Sequence, residues 1–235
     1  SIAHGTHLAP DNPNSVDDID IFGVFTQPSS QFFGIDHLTE HFTDNEEELD
    51  VLMYSVRKFV TLLLAANPNV MQILWTPAKH IILMTPVFER LLVNRQLFAS
   101  KRIYRSFAGY AHGQLQRMTS FEHRGYMGEK RKALVAKYGF DCKNAQHLVR
   151  LLRQGIEFLK TGELRIQRDD AQELIDIKTG KWPLEKIKAH ADELFKEMAQ
   201  EYDDSPLPTE PAVDAVNEVV QDILKRHYAV KTIIF

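Results

Sequence analysis

The sequence predicts an α+β protein in which a small mixed sheet is followed by a largely helical region. Two short stretches, 18–25 and 49–54, are rich in strand-forming residues and carry carboxylates near their starts. From residue 56 onward, apolar side chains recur at the spacing that places them on one face of a helix. Prolines, asparagines and glycines divide that region into helices of ordinary length, so helix dominates the rest of the chain.

The helices follow one another with recognisable ends. Asn67 and Pro68 stop the first of them, because the residue before a proline disfavours helical backbone. Gly162 is the kind of residue that ends a helix in a left-handed conformation. Further helices are predicted at 70–75, 78–83, 86–94, 100–118, 128–138, 143–161, 169–177, 183–202 and 211–227. The predicted domains are therefore a sheet domain over residues 1–98 and an α-helical C-terminal domain over residues 99–235.

Charge is unevenly distributed along the 235 residues, whose formal net charge is −4. Residues 1–50 contain 11 acidic side chains and no Lys or Arg, whereas residues 101–138 contain nine Lys or Arg and two acids. This distribution suits a metal site in the acidic part and an anion-binding surface in the basic part. It is equally the pattern of solvated surfaces that bind no ligand.

The composition argues against several classes of protein. No apolar run approaches the ~20 residues of a membrane-spanning helix, and the first residues lack the basic-then-apolar layout of a signal peptide. The single cysteine, Cys142, cannot form an internal disulfide, so we expect a cytoplasmic protein without membrane partners. Neither a glycine-rich phosphate loop nor a dinucleotide fingerprint occurs, which leaves a kinase or a dinucleotide-binding protein without support.

Three carboxylates form the main candidate for chemistry. Residues i and i+2 of a strand point to the same face, so Asp18 and Asp20 are expected side by side. Two carboxylates so close repel each other unless a cation lies between them. Asp50, in the second predicted strand, can complete a Mg²⁺ site, with Mn²⁺ as the alternative ion, and can help polarise an attacking hydroxyl. The alternative is that these are surface acids, with Asp50 belonging to the acidic run 46–50.

Basic residues further along the chain are candidates for binding phosphate. On the helix predicted over 143–161, a Lys, a His and an Arg at positions i, i+4 and i+7 share one face. Arg binds phosphate through two parallel hydrogen bonds, and Lys acts as a point charge. Each basic set is alternatively a solvated helix face. The nucleotide-binding candidates are Arg57, Lys58, Lys143, His147 and Arg150, and those for a nucleic-acid backbone are Arg124, Lys130, Arg131 and Lys132.

Three separated motifs together resemble the signature of the DNA polymerase beta nucleotidyltransferase superfamily. Residues 1–6, 18–21 and 49–51 follow its order of a Gly-Ser turn, an Asp-h-Asp-h strand and a later h-Asp-h strand, where h is apolar. The resemblance implies a polymerase beta-like sheet domain, with the three carboxylates as ligands of two Mg²⁺ ions. It also implies that the turn and the helix after it grip a triphosphate. The corresponding residues in this chain are Ser1, His4, Gly5 and Thr6.

A narrower resemblance covers most of the chain. Segments at 21–25, 56–64, 67–70, 109–111 and 143–152 fall in the order of polymerase-beta-like nucleotidyltransferases associated with RNA repair pathways in bacteria and phages. This resemblance implies transfer of NMP from an NTP such as ATP to an acceptor hydroxyl, with an RNA 3′ end, as in tRNA repair, as the favoured acceptor. The alternatives are nucleotidylation of a protein or small molecule, and a non-catalytic nucleotide-binding module. Base preference, template dependence and oligomeric state do not follow from the sequence.

Overall fold

The computed structural model describes residues 19–46, 49–120 and 129–229, and these residues form two compact units. The sheet unit consists of the described residues as far as Ala99 together with 210–229. The helical unit consists of the described residues from 100 to 209. A small mixed sheet that precedes most of the helices confirms the predicted α+β class.

Within the described ranges the sheet has three strands, in the order β1-β3-β2. β1 (Ile19–Phe25) pairs in parallel with β3 (Leu49–Ser55), and β2 (His41–Glu46) pairs antiparallel with β3. A parallel pair needs a long crossover connection, and here that connection contains a short helix, α1 (Ser29–Phe33), and β2 itself. β3 is therefore the central strand, and it holds both neighbours in register.

Side-chain caps define where the next helices of the sheet unit begin. Ser55, Asn67 and Thr85 each accept a backbone hydrogen bond in the first turn of the helix that follows. Such caps satisfy amides that have no partner within the helix. The helices that they start are α2 (Val56–Leu64), α3 (Pro68–Leu74) and α4 (Pro86–Val93).

The last described helix also belongs to the sheet unit. α10 (Val213–Ala229) packs against α2, α4 and a short 3-10 turn that follows α4. Near its end the Tyr228 hydroxyl donates a hydrogen bond of 2.8 Å to the carbonyl of Gln27, and the Tyr228 ring stacks on Phe32 at 4.7 Å between centroids. The sequence prediction placed 99–235 in one helical domain, whereas the contacts of α10 group it with the sheet. Its apolar residues find their partners among helices that follow β3.

The helical unit contains five helices: α5 (Arg102–Thr119), α6 (Glu129–Tyr138), α7 (Cys142–Thr161), α8 (Ala171–Lys178) and α9 (Leu184–Asp204). α7 lies at its centre and packs against the other four. Close packing on α9 depends on Gly155, because a Cβ there would lie 2.4 Å from Met198 Cε. Gly162 ends α7 with a φ of 70°, which confirms the predicted left-handed helix end.

The sheet unit differs from the prediction at several places, among them the region 78–83 and the strand β2. Only a 3-10 turn, Ala78–His80, forms where the helix 78–83 is predicted, and Ile82 and Leu83 remain exposed. A helix there would bury no apolar face, so nothing offsets its entropic cost. The described side chains of β2 are exposed on both faces, so this strand has no alternation of apolar and polar residues. The sequence prediction misses β2 because that alternation is the signal for a strand.

Gly180→Ala is expected to lower the free energy of unfolding by roughly 2–4 kcal/mol in urea titrations. Gly180 follows α8 with a φ of 80°, and a Cβ there would lie 2.3 Å from the Tyr138 ring. The variant therefore combines backbone strain with a steric clash. Gly139→Ala is the matched control, because Gly139 has a φ of 79° and open space around its Cβ position. It should cost only ~1–2 kcal/mol, and equal losses for the two variants would contradict the packing of Tyr138 on this turn.

Candidate functional site

Two carboxylates meet where β1 and β3 run in parallel. The register pairs Asp20 directly with Asp50. Partners on neighbouring strands project to the same face of a sheet, with the strands roughly 4.8 Å apart. Both side chains are exposed, so this face presents two adjacent acidic groups to solvent.

In the described structure, neither carboxylate serves to hold the fold together. Among the residues that the structure describes, Asp20 and Asp50 have no hydrogen-bond or ion-pair partner. Adjacent carboxylates without a bonded basic group repel each other, and a bound cation relieves that repulsion. Carboxylate oxygens are also the ligands that a hard divalent cation such as Mg²⁺ prefers. The pair is therefore suited to bind a cation.

Side chains on both faces of the sheet support this register. Phe22 and Tyr54 continue the face of the carboxylates, with their ring centroids 6.3 Å apart. On the opposite face the Met53 side chain lies over Gly23, and a Cβ on Gly23 would be 1.9 Å from the Met53 sulfur. A slip of one residue would turn one aspartate to the other face and remove the space that Met53 occupies. Packing therefore ties the pairing of the carboxylates to the stability of the sheet.

The third predicted carboxylate, Asp18, lies outside the described residues, so its proximity to Asp20 stays a prediction. Within the ranges that the structure describes, no group of three or more His, Cys, Asp or Glu side chains could hold a metal ion. The described part of the candidate site thus contains two of the three predicted carboxylates. The proposed triphosphate-binding residues Ser1, His4, Gly5 and Thr6 also lie outside it.

Two basic candidates lie in the first turn of α2, directly after β3. The Lys58 ammonium forms a 3.0 Å ion pair with the Glu40 carboxylate, and both groups are partly exposed. The Arg57 guanidinium lies 4.7 Å from the centroid of the Phe32 ring. An exposed ion pair contributes at most about 1 kcal/mol, so phosphate can compete with Glu40 for Lys58. Nucleotide binding by Arg57 and Lys58 stays a prediction.

The basic stripe predicted on α7 is not a uniform surface. Lys143 is exposed and His147 is half-buried, but Arg150 is only 2% exposed. Arg150 donates to Gln154 Oε1 at 3.2 Å, and its Nη2 lies 3.3 Å from His147 Nδ1. Burial and then the charge of Arg168 lower the pKa of Arg150 to about 10. The alternative of a solvated helix face is wrong for Arg150, because the other helices of the unit surround α7. Contact of this stripe with a nucleotide stays a prediction.

Arg131, a candidate for binding the RNA backbone, makes internal contacts in the helical unit. Its Nε donates to Asp141 Oδ2 at 2.8 Å and its Nη2 to Asn144 Oδ1 at 3.0 Å. Asp141 is buried and caps α7 by accepting two backbone hydrogen bonds. Arg131 therefore completes the start of α7, and its contact with RNA stays a prediction. Lys132 is exposed, whereas Arg124 and the side chain of Lys130 lie outside the described part of the chain.

The sequence does not single out a cluster of arginines and carboxylates where α7 meets α8. Arg168 pairs with Glu157 at 2.8 Å and with Asp170 at 2.6 Å, and Arg153 pairs with Asp170 at 2.7 Å and Glu173 at 2.9 Å. An open cleft of about 290 Å³ is lined by Arg153, Glu157, Arg168 and Asp170 together with Arg165 and Asp169. The only sequence signal, an Arg and a Glu four residues apart, is too common to identify it. Because both arginines are matched by carboxylates, the cluster connects the helices rather than offering charge to a ligand.

Carboxylates paired across parallel strands, in a sheet followed mainly by helices, are the arrangement expected of a polymerase beta-like nucleotidyltransferase. The family model described as the RNA repair pathway DNA polymerase beta family matches residues 11–222. The chain therefore belongs to this family, and the predicted membership is confirmed. Comparison with curated proteins and with solved structures found no match. None of the helices in the described ranges is both long enough and apolar enough to cross a membrane.

His190 of α9 contacts the arginine cluster and adds a side chain whose protonation changes with pH. Arg153 Nη2 lies 3.0 Å from His190 Nε2, and the Trp182 ring lies 5.6 Å from the imidazole. Burial and then the charge of Arg153 lower the pKa of His190 from its ordinary value of 6.5, although Glu173 and Glu193 oppose that shift. The folded protein therefore favours the neutral imidazole.

The stability of the protein is expected to fall as pH decreases through the range in which His190 gains a proton. Because the pKa of His190 is lower in the folded state, the contribution of His190 to stability is complete above pH 6.5 and is lost as pH falls below that value. Thermal unfolding followed by circular dichroism at a series of pH values measures this loss. His190→Gln should reduce the pH dependence, whereas His80→Gln, at an exposed histidine of the sheet unit, should leave it unchanged. An identical pH dependence in wild type and His190→Gln would contradict the assignment.

Proposed function

We propose that the protein transfers a nucleoside monophosphate from an NTP to the 3′ hydroxyl of an RNA in a Mg²⁺-dependent reaction. Family membership supports the coarser part of this proposal, a polymerase beta-like nucleotidyltransferase of an RNA repair pathway. The observation that carries the proposal is the register of β1 and β3, which sets Asp20 beside Asp50 on an exposed face.

In this proposal Asp18, Asp20 and Asp50 would hold two divalent cations. Asp20 and Asp50 fit such an ion, since they are adjacent oxygen donors without another bonded partner in the described structure. When bound, Mg²⁺ neutralises negative charge on the triphosphate and lowers the pKa of the attacking hydroxyl. Mn²⁺ suits the same set of oxygen ligands.

The chemistry follows from these roles. The acceptor hydroxyl oxygen forms a bond to the α-phosphorus of the NTP, the bond from that phosphorus to the bridging oxygen breaks, and pyrophosphate leaves. The hydroxyl proton passes to the carboxylate of Asp50, which is exposed and has no bonded partner among the described residues. Arg57 and Lys58, just after β3, offer positive charge to the phosphate oxygens.

Asp20→Asn and Asp50→Asn are each expected to lower the rate of nucleotide transfer by at least about 100-fold, because each removes a charge that the transition state needs. The measurement is Mg²⁺-dependent incorporation of label from each of the four α-labelled NTPs into total RNA. Asp44→Asn is the matched control. Asp44 is an exposed carboxylate of the same sheet, but its register partner is Val51, so it lies on the opposite face. Loss of activity in Asp44→Asn, or full activity in both other variants, would sink the proposed site.

The acceptor is tested by blocking the RNA 3′ end. Periodate oxidation destroys the terminal 2′,3′-diol of RNA, and transfer to oxidised RNA is expected to be abolished because no attacking hydroxyl remains. Incorporation is measured in parallel with untreated RNA, oxidised RNA and total protein. Label that appears on protein alone would overturn the RNA acceptor in favour of protein nucleotidylation. Label on oxidised RNA would exclude the 3′ end as the point of attachment.

A further inference from the structure

The outer face of α5 contains cationic and small residues and no acid. The whole helix has three Arg, one His and neither Asp nor Glu. Ile103, Phe107, Ala111 and Met118 are buried and define its inner face. Helical periodicity places several polar and small residues on the outward side of the helix. We define the α5 outer face as Arg102, Arg105, Gly109, Gly113, Gln116 and Arg117.

Two arginines of this face lack the carboxylate partners that several other arginines of the helical unit have in the described structure. Arg105 and Arg117 are exposed, and in the described structure neither has a hydrogen bond or an ion pair. Arg131, Arg153 and Arg168, in contrast, each pair with carboxylates. An external anion bound at the α5 outer face can pair with these guanidinium groups without displacing a carboxylate.

The spacing of these cations selects the kind of anion. Twelve residues separate Arg105 from Arg117, which corresponds to about 18 Å along a helix. A single phosphate or a nucleotide cannot contact both guanidinium groups, but an extended polyanion can. Between them, nothing lies within 4 Å of a Cβ position on Gly109, so the helix backbone is open to a close approach. A Cβ on Gly113 would lie 3.3 Å from Arg117 Nη2, which places that guanidinium along the same face.

We propose that the α5 outer face binds the sugar-phosphate backbone of single-stranded RNA. The inference rests on the proposed RNA acceptor and adds a surface that the proposed function does not name. It shifts the predicted RNA contact from α6, where Arg131 is bonded to Asp141, to exposed arginines that have no internal partner. Phosphate contacts of this kind give affinity and salt dependence rather than base specificity.

The test compares RNA binding by wild type and by the Arg105→Gln plus Arg117→Gln variant. A labelled single-stranded oligoribonucleotide is followed by fluorescence anisotropy between about 50 and about 200 mM KCl. For a single strand, each phosphate contact contributes about 2.6-fold to the loss of affinity over that salt range. The double variant should therefore bind more weakly than wild type, and its loss of affinity over that range should be smaller by about 7-fold. Arg105→Lys plus Arg117→Lys, which keeps both charges, should retain the wild-type salt dependence.

The control is Lys196→Gln plus Lys225→Gln, which removes two exposed cations that have no described bonding partner. It makes the same change in net charge and should bind RNA nearly as wild type does. Equal weakening by the control, unchanged binding by the arginine variant, or no RNA binding by wild type would each overturn the inference.

The catalytic proposal fails independently of this one. Asp20→Asn plus Asp50→Asn, in the sheet unit, should abolish transfer and leave the salt dependence of RNA binding unchanged. If transfer to RNA requires these aspartates while the arginine variant binds RNA normally, the proposed function stands and the α5 inference is wrong. If the arginine variant loses RNA affinity while wild type transfers label to no RNA, the α5 surface stands and the proposed RNA acceptor is wrong.

Discussion

The parallel pairing of β1 with β3 is the constraint on which the candidate site depends. It sets Asp20 beside Asp50, and it is supported by Met53 over Gly23 on one face and by two aromatic rings on the other. Because the side chains of a strand alternate between faces, a shift of one residue in the pairing would place the two carboxylates on opposite faces. β3 ends at Ser55, whose hydroxyl caps α2. The positions of the basic residues in the first turn of α2 therefore also depend on the position of β3.

The two units use charged residues in different ways. In the sheet unit, the paired aspartates are exposed and have no bonded partner among the described residues. In the helical unit, most of the arginines with described contacts are matched by carboxylates that connect α7 with its neighbours. Charges that are already matched contribute to the fold and have little to offer a ligand. Adjacent charges without a partner repel one another until a ligand binds. Whether a charged group has a bonded partner therefore separates candidate functional groups from structural ones more sharply than residue type does.

The basic residues between positions 101 and 150 illustrate the same distinction. They contribute equally to a charge count, yet three of them have different environments. Arg150 is buried, Arg131 completes the cap of α7, and Arg105 is exposed without a bonded partner in the described structure. Only the last environment favours an external polyanion. A group of basic residues in a sequence therefore predicts a binding surface only where the fold leaves their charges without carboxylate partners.

Local sequence determined much of this protein by itself. The strands around Asp20 and Asp50, most helices, and the end of α7 at Gly162 follow from the alternation of apolar residues, from caps and from backbone preferences within a few positions. Only the tertiary structure decided the register of the two aspartates, the edge strand β2 and the place of α10 with the sheet. Pairing and burial depend on partners that are distant in the chain, and no local pattern encodes which distant partner a side chain will meet.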